Sequence, residues 1–194
     1  MAAPLTREQI LNTTEQVLRR FGLDKTSVVD VARALGVSHG TLYRHFSSKA
    51  ALKEAVAERW LHEVSAPLAL IVENAGSALE KTQLWLERLI HIKQSKALED
   101  PELFAMYNAL AEESVESIEK HINDLISQLT QIVEEGMQAG EFQNADAREV
   151  ASAVFYATAR FHHPALAKEW ISPAINHEFE QVWNLLVSGL LIRK

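Results

Sequence analysis

Apolar residues recur every three or four positions along almost the whole chain, the spacing of one face of an α-helix. Ile10, Leu11, Thr14, Val17, Leu18 and Phe21 form a first stripe, and Thr6 with Gln9 makes a capping-box pattern, so a helix is expected from Thr6 to Phe21. Gly22 to Lys25 reads as a loop. Val28, Val31, Ala32 and Leu35 give a short second helix, stopped by Gly36, because glycine adopts the left-handed conformation cheaply at a helix C-terminus. Ser38 can cap a third helix running to Phe46, with Leu42 and Phe46 facing inward. A long helix follows from Ser48 with Leu52, Val56, Trp60 and Val64 four apart, and Pro67 is expected to kink or end it. Ser77 and Glu80 open a helix to about Leu98, and Asp100-Pro101 opens the next, carrying Leu103, Phe104, Tyr107 and Leu110. Ile118, Ile122, Leu125, Leu129 and Ile132 stripe another, with Gly140 after its end. Asp146 and Glu149 cap a helix to Phe161, and Ser172-Pro173 begins the last. No strand alternation and no internal repeat is visible. The pattern predicts an all-α chain of about nine helices.

Residues 26–46 are two short helices joined by a tight turn, a helix-turn-helix whose second helix suits the major groove of DNA. His39, Gly40, Thr41, Tyr43, Arg44 and His45 are left facing outward. The string from Ala34 to Leu52, ALGVSHGTLYRHFSSKAAL, resembles the DNA-binding signature of TetR-type (tetracycline-repressor-like) regulators. That likeness spans roughly residues 6–55, and the stretch from Asp100 to Pro164 also resembles one subset of the same regulators. The resemblance implies a DNA-binding domain over 1–50 and a helical ligand-binding and dimerisation domain over 51–194. It carries His39, Gly40, Thr41, Tyr43, His45 and Lys49 to the DNA surface. Thr26, Ser27 and Ser38 join them, because short donors at helix N-termini suit phosphate contacts. Many such regulators offer a polar or basic side chain in the first turn of the second helix, where Val28 and Val29 stand here.

Net charge at first argues against a polyanionic partner, being −7 over 194 residues. Its distribution reverses that. Residues 1–50 hold seven Lys/Arg against four acids, a net +3, and the remainder holds twelve against twenty-two, a net −10. A basic head can meet phosphates while an acidic body is repelled by them. Apolar residues make up 47%, enough for a sizeable core, and seven Gly and five Pro argue against disorder. The absence of Cys removes disulfides and thiolate metal sites. No apolar run spans a bilayer and the first residues lack a signal-peptide pattern, so a cytoplasmic protein with no membrane partner is expected.

Beyond the head there is no Cys nucleophile, phosphate loop, His-Glu-x-x-His or nucleophile elbow, so no enzyme is expected. No two of His62, His91, His121, His162, His163 and His177 stand three or four apart, and neither a metal nor a cofactor is expected. The resemblance implies an inducer cavity in the body. Its candidates are Trp60, Trp85, Leu89, Phe104, Tyr107 and Phe155 as walls, with His91, Asn108 and His162 as polar anchors. The last helix is apolar on more than one face and therefore calls for a partner. A homodimer is expected through Val150, Val154, Ala157, Phe161, Phe179, Val182, Trp183, Leu186 and Leu190. The expected function is a repressor released from a double-stranded DNA operator by a small apolar or amphipathic ligand. The alternative is a non-transcriptional DNA-binding protein, a nucleoid or division-control factor using the same head.

Overall fold

A computed structural model describes residues 5–23 and 25–192. Asp24, in the loop expected after the first helix, lies outside the described residues. Among the described residues, ten α-helices and one 3-10 helix follow in order: α1 (Arg7–Phe21), α2 (Val28–Leu35), α3 (His39–Tyr43), α4 (Lys49–Val72), α5 (Ala78–Glu99), α6 (Pro101–Glu112), α7 (Val115–Gln138), α8 (Ala147–Ala157), α9 (Ala159–His162), the 3-10 helix Pro164–Glu169, and α10 (Ile175–Leu190). Two more helical segments than expected appear, because one expected helix divides and a 3-10 helix forms where a connection was expected. Thr158 interrupts the helix expected to reach Phe161. Its hydroxyl donates to the carbonyls of Val154 (3.0 Å) and Phe155 (3.1 Å), which competes with continued helix hydrogen bonding. Pro164 then starts the 3-10 helix, where its fixed φ fits the first turn. The last helix begins at Ile175 rather than at Ser172-Pro173, since the Ser172 hydroxyl accepts from the Ala174 amide in a preceding turn. Helix α3 ends at Tyr43, short of Phe46, because the amides of His45 and Phe46 both turn back to the Leu42 carbonyl. Pro67 does not end α4; the helix runs through it, with Val64, Leu68 and Ile71 buried on either side.

The chain forms two compact units. The first comprises Met1–Leu61 and Glu102–Ile118, so it takes in more than residues 1–50. Its centre is Ile10, Leu18, Val31, Leu42 and Val56, each at most 1% exposed. The capping boxes of α1 and α2 form as their sequences require. Gly36 ends α2 at φ 67°, and the Val37 amide returns to the Ala32 carbonyl to set the turn. Glu15 pairs with Arg59, and Lys53 with Glu113 at 2.8 Å.

The second unit comprises His62–Pro101 and Glu119–Lys194. Its core runs from Val64 and Leu68 on α4 through Trp85, Leu86 and Leu89 on α5 to Leu125, Leu129 and Ile132 on α7. Val154 and Phe155 on α8 and Trp183 and Leu190 on α10 complete it. Each fully buried leucine contributes about 1.5–3 kcal/mol relative to exposure. Gly136 lets α7 approach Phe142: a Cβ there would lie 2.5 Å from the ring. Helix α4 is shared, its first half in one unit and its second in the other.

Candidate DNA-binding surface and ligand site

The first turn of α3 stands clear of the protein. Ser38, His39 and Gly40 are exposed, Thr41 and His45 are half-buried, and Tyr43 is 50% exposed. Ser38 fixes the start of this helix by accepting from the Thr41 amide (3.3 Å). Leu42 and Phe46 lock the opposite side, and the Arg7 guanidinium lies 4.5 Å from the Phe46 ring centre. The outward side chains are therefore carried on a helix with little freedom to roll. Lys49, exposed, is the first residue of α4, and the Ser48 hydroxyl beside it accepts from the Ala51 amide at 3.0 Å. Ser27 caps α2, and its hydroxyl and amide hold the Asp30 carboxyl below the usual carboxylate range. Thr26 is different. It is 5% exposed, and its hydroxyl donates to the Gly22 carbonyl at 2.7 Å, so this side chain ties down the loop and is not presented to a phosphate. Val28 packs inward, whereas Val29 is 41% exposed on the first turn of α2.

The ligand candidates separate into two groups. Trp60, Phe104 and Tyr107 are buried in the first unit, where Trp60 stacks on Tyr107 with centroids 5.1 Å apart and meets Phe104 edge-on at 6.0 Å. Asn108 is half-buried in the same unit. Trp85, Leu89, Phe155 and His162 are buried in the second unit. Trp85 donates from Nε1 to Gln128 Oε1 at 2.9 Å, and Gln128 in turn donates to the Ser65 carbonyl. His91 is exposed and borders a groove of about 490 Å³ together with Ile90, Gln94, Phe161, Phe179 and Trp183.

Among the dimer candidates, Val154, Phe161, Trp183 and Leu190 are buried within the protomer, where they pack its own core. These four cannot also present a face to a partner without leaving that core. Val150, Phe179, Val182 and Leu186 are half-buried, and Ala157 is exposed. The periodicity did not single out Tyr156, 61% exposed on α8, or Leu185, 72% exposed on α10.

Two further interior groups were missed. Lys93 on α5 and His121 on α7 are 8% and 7% exposed. Both occupy positions in line with apolar stripes, Leu86-Leu89-Lys93 and His121-Leu125-Leu129, so a signal for them existed in the register. Burial pulls Lys93 down to about 8. Burial, with the Lys93 ammonium adding to it, holds both His121 and His162 at about 3. Both imidazoles are therefore neutral at pH 7 while the lysine remains charged. His162 Nε2 lies 3.2 Å from the Phe155 carbonyl and 3.3 Å from Thr158 Oγ1, whose own proton points to backbone oxygens, so Nε2 carries the hydrogen. No group of three or more His, Cys, Asp or Glu that could hold a metal occurs among the described residues. No described helix is long and apolar enough to cross a membrane.

Comparison with known proteins agrees with this geometry. Residues 10–56 match the family described as bacterial regulatory proteins, tetR family, and residues 78–183, more than half of the chain, match the tetracyclin repressor-like C-terminal domain. The HTH-type transcriptional regulator TtgR of Pseudomonas putida is 36% identical over 69 residues, 36% of this chain and 32% of that protein, so the match spans about a third of that relative. The nucleoid occlusion factor SlmA of Shewanella baltica is 26% identical over 193 residues, 95% of this chain and 94% of that protein. The crystal structure of the regulator FadR from Bacillus subtilis in complex with stearoyl-CoA shares the fold, with a TM-score of 0.65 at 20% identity, covering 95% of this chain and 99% of that one. A helix-turn-helix head matching one family segment, followed by a helical body matching the other, places the whole chain: it belongs to the TetR family of bacterial transcriptional regulators.

Proposed function

We propose that this chain is a cytoplasmic, homodimeric repressor that binds a DNA operator and releases it when a small apolar or amphipathic molecule enters the second unit. The observation that carries the reading is the exposed first turn of α3, His39 to Tyr43, held rigid by Leu42 and Phe46. His39 and Thr41 offer hydrogen bonds and a methyl group to base edges, Gly40 allows close backbone approach, and Tyr43 and Lys49 reach phosphates. With Thr26 turned inward and Val29 exposed, α2 contributes apolar contact rather than base hydrogen bonds. The pairing face centres on Tyr156, Ala157 and Leu185, the exposed apolar side chains of α8 and α10, because apolar surface of this kind favours burial against a second copy. Helix α4 belongs to both units, so a ligand that prefers one placement of its second half biases the first; a coupling of about 1–3 kcal/mol suffices for a switch.

Selection from random duplex DNA tests the reading. A palindromic site with half-sites about one helical turn apart, roughly 34–36 Å, is expected. Sedimentation at micromolar concentration should give twice the chain mass, and Leu185→Glu should give monomers. A parent chain that selects no sequence would defeat the proposal. A second reading, a nucleoid-associated factor, is favoured by the likeness to SlmA along nearly the full chain. Chromatin footprints separate the two: a few promoter sites support the repressor, and many sites spread over the chromosome support the alternative.

A further inference from the structure

Helix α5 buries two lysines, and the two are treated differently. Lys81 and Lys93 are each 8% exposed. The Lys81 ammonium donates to Glu135 at 2.7 Å and to the Val72 carbonyl at 2.9 Å, so its charge is compensated. Lys93 forms no ion pair or hydrogen bond among the described residues. Its close polar surroundings include His121 from α7 and His162 from α9, both neutral at pH 7. His121 adds a second vacancy of the same kind, because its buried Nε2 has no hydrogen-bond partner. A buried cation without a counter-charge costs several kcal/mol, and a buried imidazole nitrogen without a partner adds to that cost. Three helices thus bring one uncompensated positive charge and one unused imidazole nitrogen together inside the second unit. What such a cluster lacks is a single negative charge with oxygens to accept hydrogen bonds.

We propose that Lys93, flanked by His121 and His162, is the anion-binding end of the effector site, and that the effector is an amphipathic monocarboxylic acid. This rests on the ligand-responsive reading above and names the ligand's chemistry. One ammonium beside two neutral imidazoles balances one negative charge; a phosphate dianion would remain undercompensated in the same interior. Lys93 supplies up to three N–H donors, and His121 Nε2 supplies another when it carries the hydrogen. His162 spends its Nε2–H on the Phe155 carbonyl, so it shapes the site rather than binding the anion. Apolar side chains that the rest of the molecule would have to part and contact pack beside the cluster. Leu89, Leu125 and Phe155 sit about one helical turn or less from it, and the Phe155 ring centre is 4.8 Å from that of His162. The groove lined by Ile90, Gln94 and Phe161 borders α5 and α9, with Glu87 and Glu180 also on its wall, and Gln94 Nε2 reaches the Phe161 carbonyl at 3.2 Å.

The test uses the full chain, its selected operator, and three probes: decanoate, decan-1-ol as the neutral match, and inorganic phosphate. Decanoate is expected to raise the melting temperature and to release the operator. Decan-1-ol and phosphate are expected to do neither at equal concentration. Lys93→Met should bind decanoate about tenfold to a hundredfold more weakly, the loss of a charge-assisted hydrogen bond, while circular dichroism and operator binding without probe stay as in the parent. His121→Leu, the second variant, should weaken decanoate about tenfold and leave operator binding intact. Equal stabilisation by decanol, equal stabilisation by phosphate, or unchanged decanoate binding in Lys93→Met would each overturn the anion site. A lack of any decanoate effect would overturn it as well. Release by decanol that survives Lys93→Met sinks this proposal but keeps the ligand-responsive reading; failure of every apolar compound to release the operator sinks that reading itself.

Discussion

On the outer face of the helix-turn-helix, Arg44 and Lys49 stand in solvent, and Arg33 keeps 76% of its side chain exposed while touching Asp30 at 3.5 Å. Inside the second unit, Lys81 and Lys93 lie in the core register of α5. The exposed cations cost the fold little, because water solvates them, and an anion that approaches displaces only mobile counterions. They are suited to a long polyanion read with salt-dependent strength. The buried cations carry a desolvation cost that only a fixed partner offsets, so they are either neutralised within the protein, as Lys81 is, or left for a ligand to neutralise, as proposed for Lys93. The same charge thus suits two kinds of recognition, and burial decides which.

Acid exposes the contrast most strongly. His121 and His162 are held at about 3 in the folded chain, against 6.5 as the ordinary value. The unfolded chain therefore takes up protons below pH 6.5 that the folded chain refuses until about pH 3. Stability is full above pH 6.5 and falls as the pH drops through that window, by up to about 1.4 kcal/mol per pH unit for each histidine. Urea midpoints at pH 7, 5.5 and 4.5 should show the fall, and His121→Leu should reduce its slope by about half. An unchanged slope would remove the buried imidazoles as its source.

Lys93→Met is the next largest effect. Removing an uncompensated buried charge should stabilise the chain without ligand by about 2 kcal/mol, or roughly 4–8 °C in melting temperature. Because the folded lysine titrates near 8, below its unfolded value, the gain is fullest below pH 8 and shrinks toward pH 10.5. A variant less stable than the parent at pH 7 would show that Lys93 has a partner in the folded chain.

On the exposed side, Tyr43→Ala and Lys49→Ala should each weaken operator binding about tenfold with no change in melting temperature, and Lys49→Ala should lower the salt slope by about one counterion. Operator binding equal to the parent in both variants would move the DNA surface elsewhere. The paired lysine gives the converse test. Glu135→Gln leaves the Lys81 ammonium buried with the Val72 carbonyl but no counter-charge, so it should destabilise the chain by about 1–2 kcal/mol, opposite in sign to Lys93→Met. No measurable loss would show that a counter-charge is not what makes a buried lysine tolerable in this core.

The amino-acid pattern alone determined the helices, the capping boxes at Thr6 and Ser77, the turn at Gly36 and the outward set from His39 to Tyr43. These are local: a cap, a glycine at positive φ and a stripe of side chains each act within a few residues, so their chemistry is written in consecutive letters. The breaks at Thr158 and Tyr43 were less legible, because side-chain and turn hydrogen bonds there compete with the helix at nearly equal strength. Tertiary structure decided what spacing could not. Helix α10 is apolar on more than one side, and only packing into the core of the second unit shows that Trp183 and Leu190 turn inward while Leu185 stays out. Thr26 reads as a phosphate donor until the loop closes and takes its hydroxyl. The aromatic ligand candidates look like one set along the chain, yet Trp60, Phe104 and Tyr107 belong to one unit and Trp85 and Phe155 to the other. Lys93, His121 and His162 are separated by 28 and 41 positions and meet only because α5, α7 and α9 pack into one core. Burial and charge compensation are properties of that packed interior, and no residue carries them until its neighbours from distant helices have closed around it.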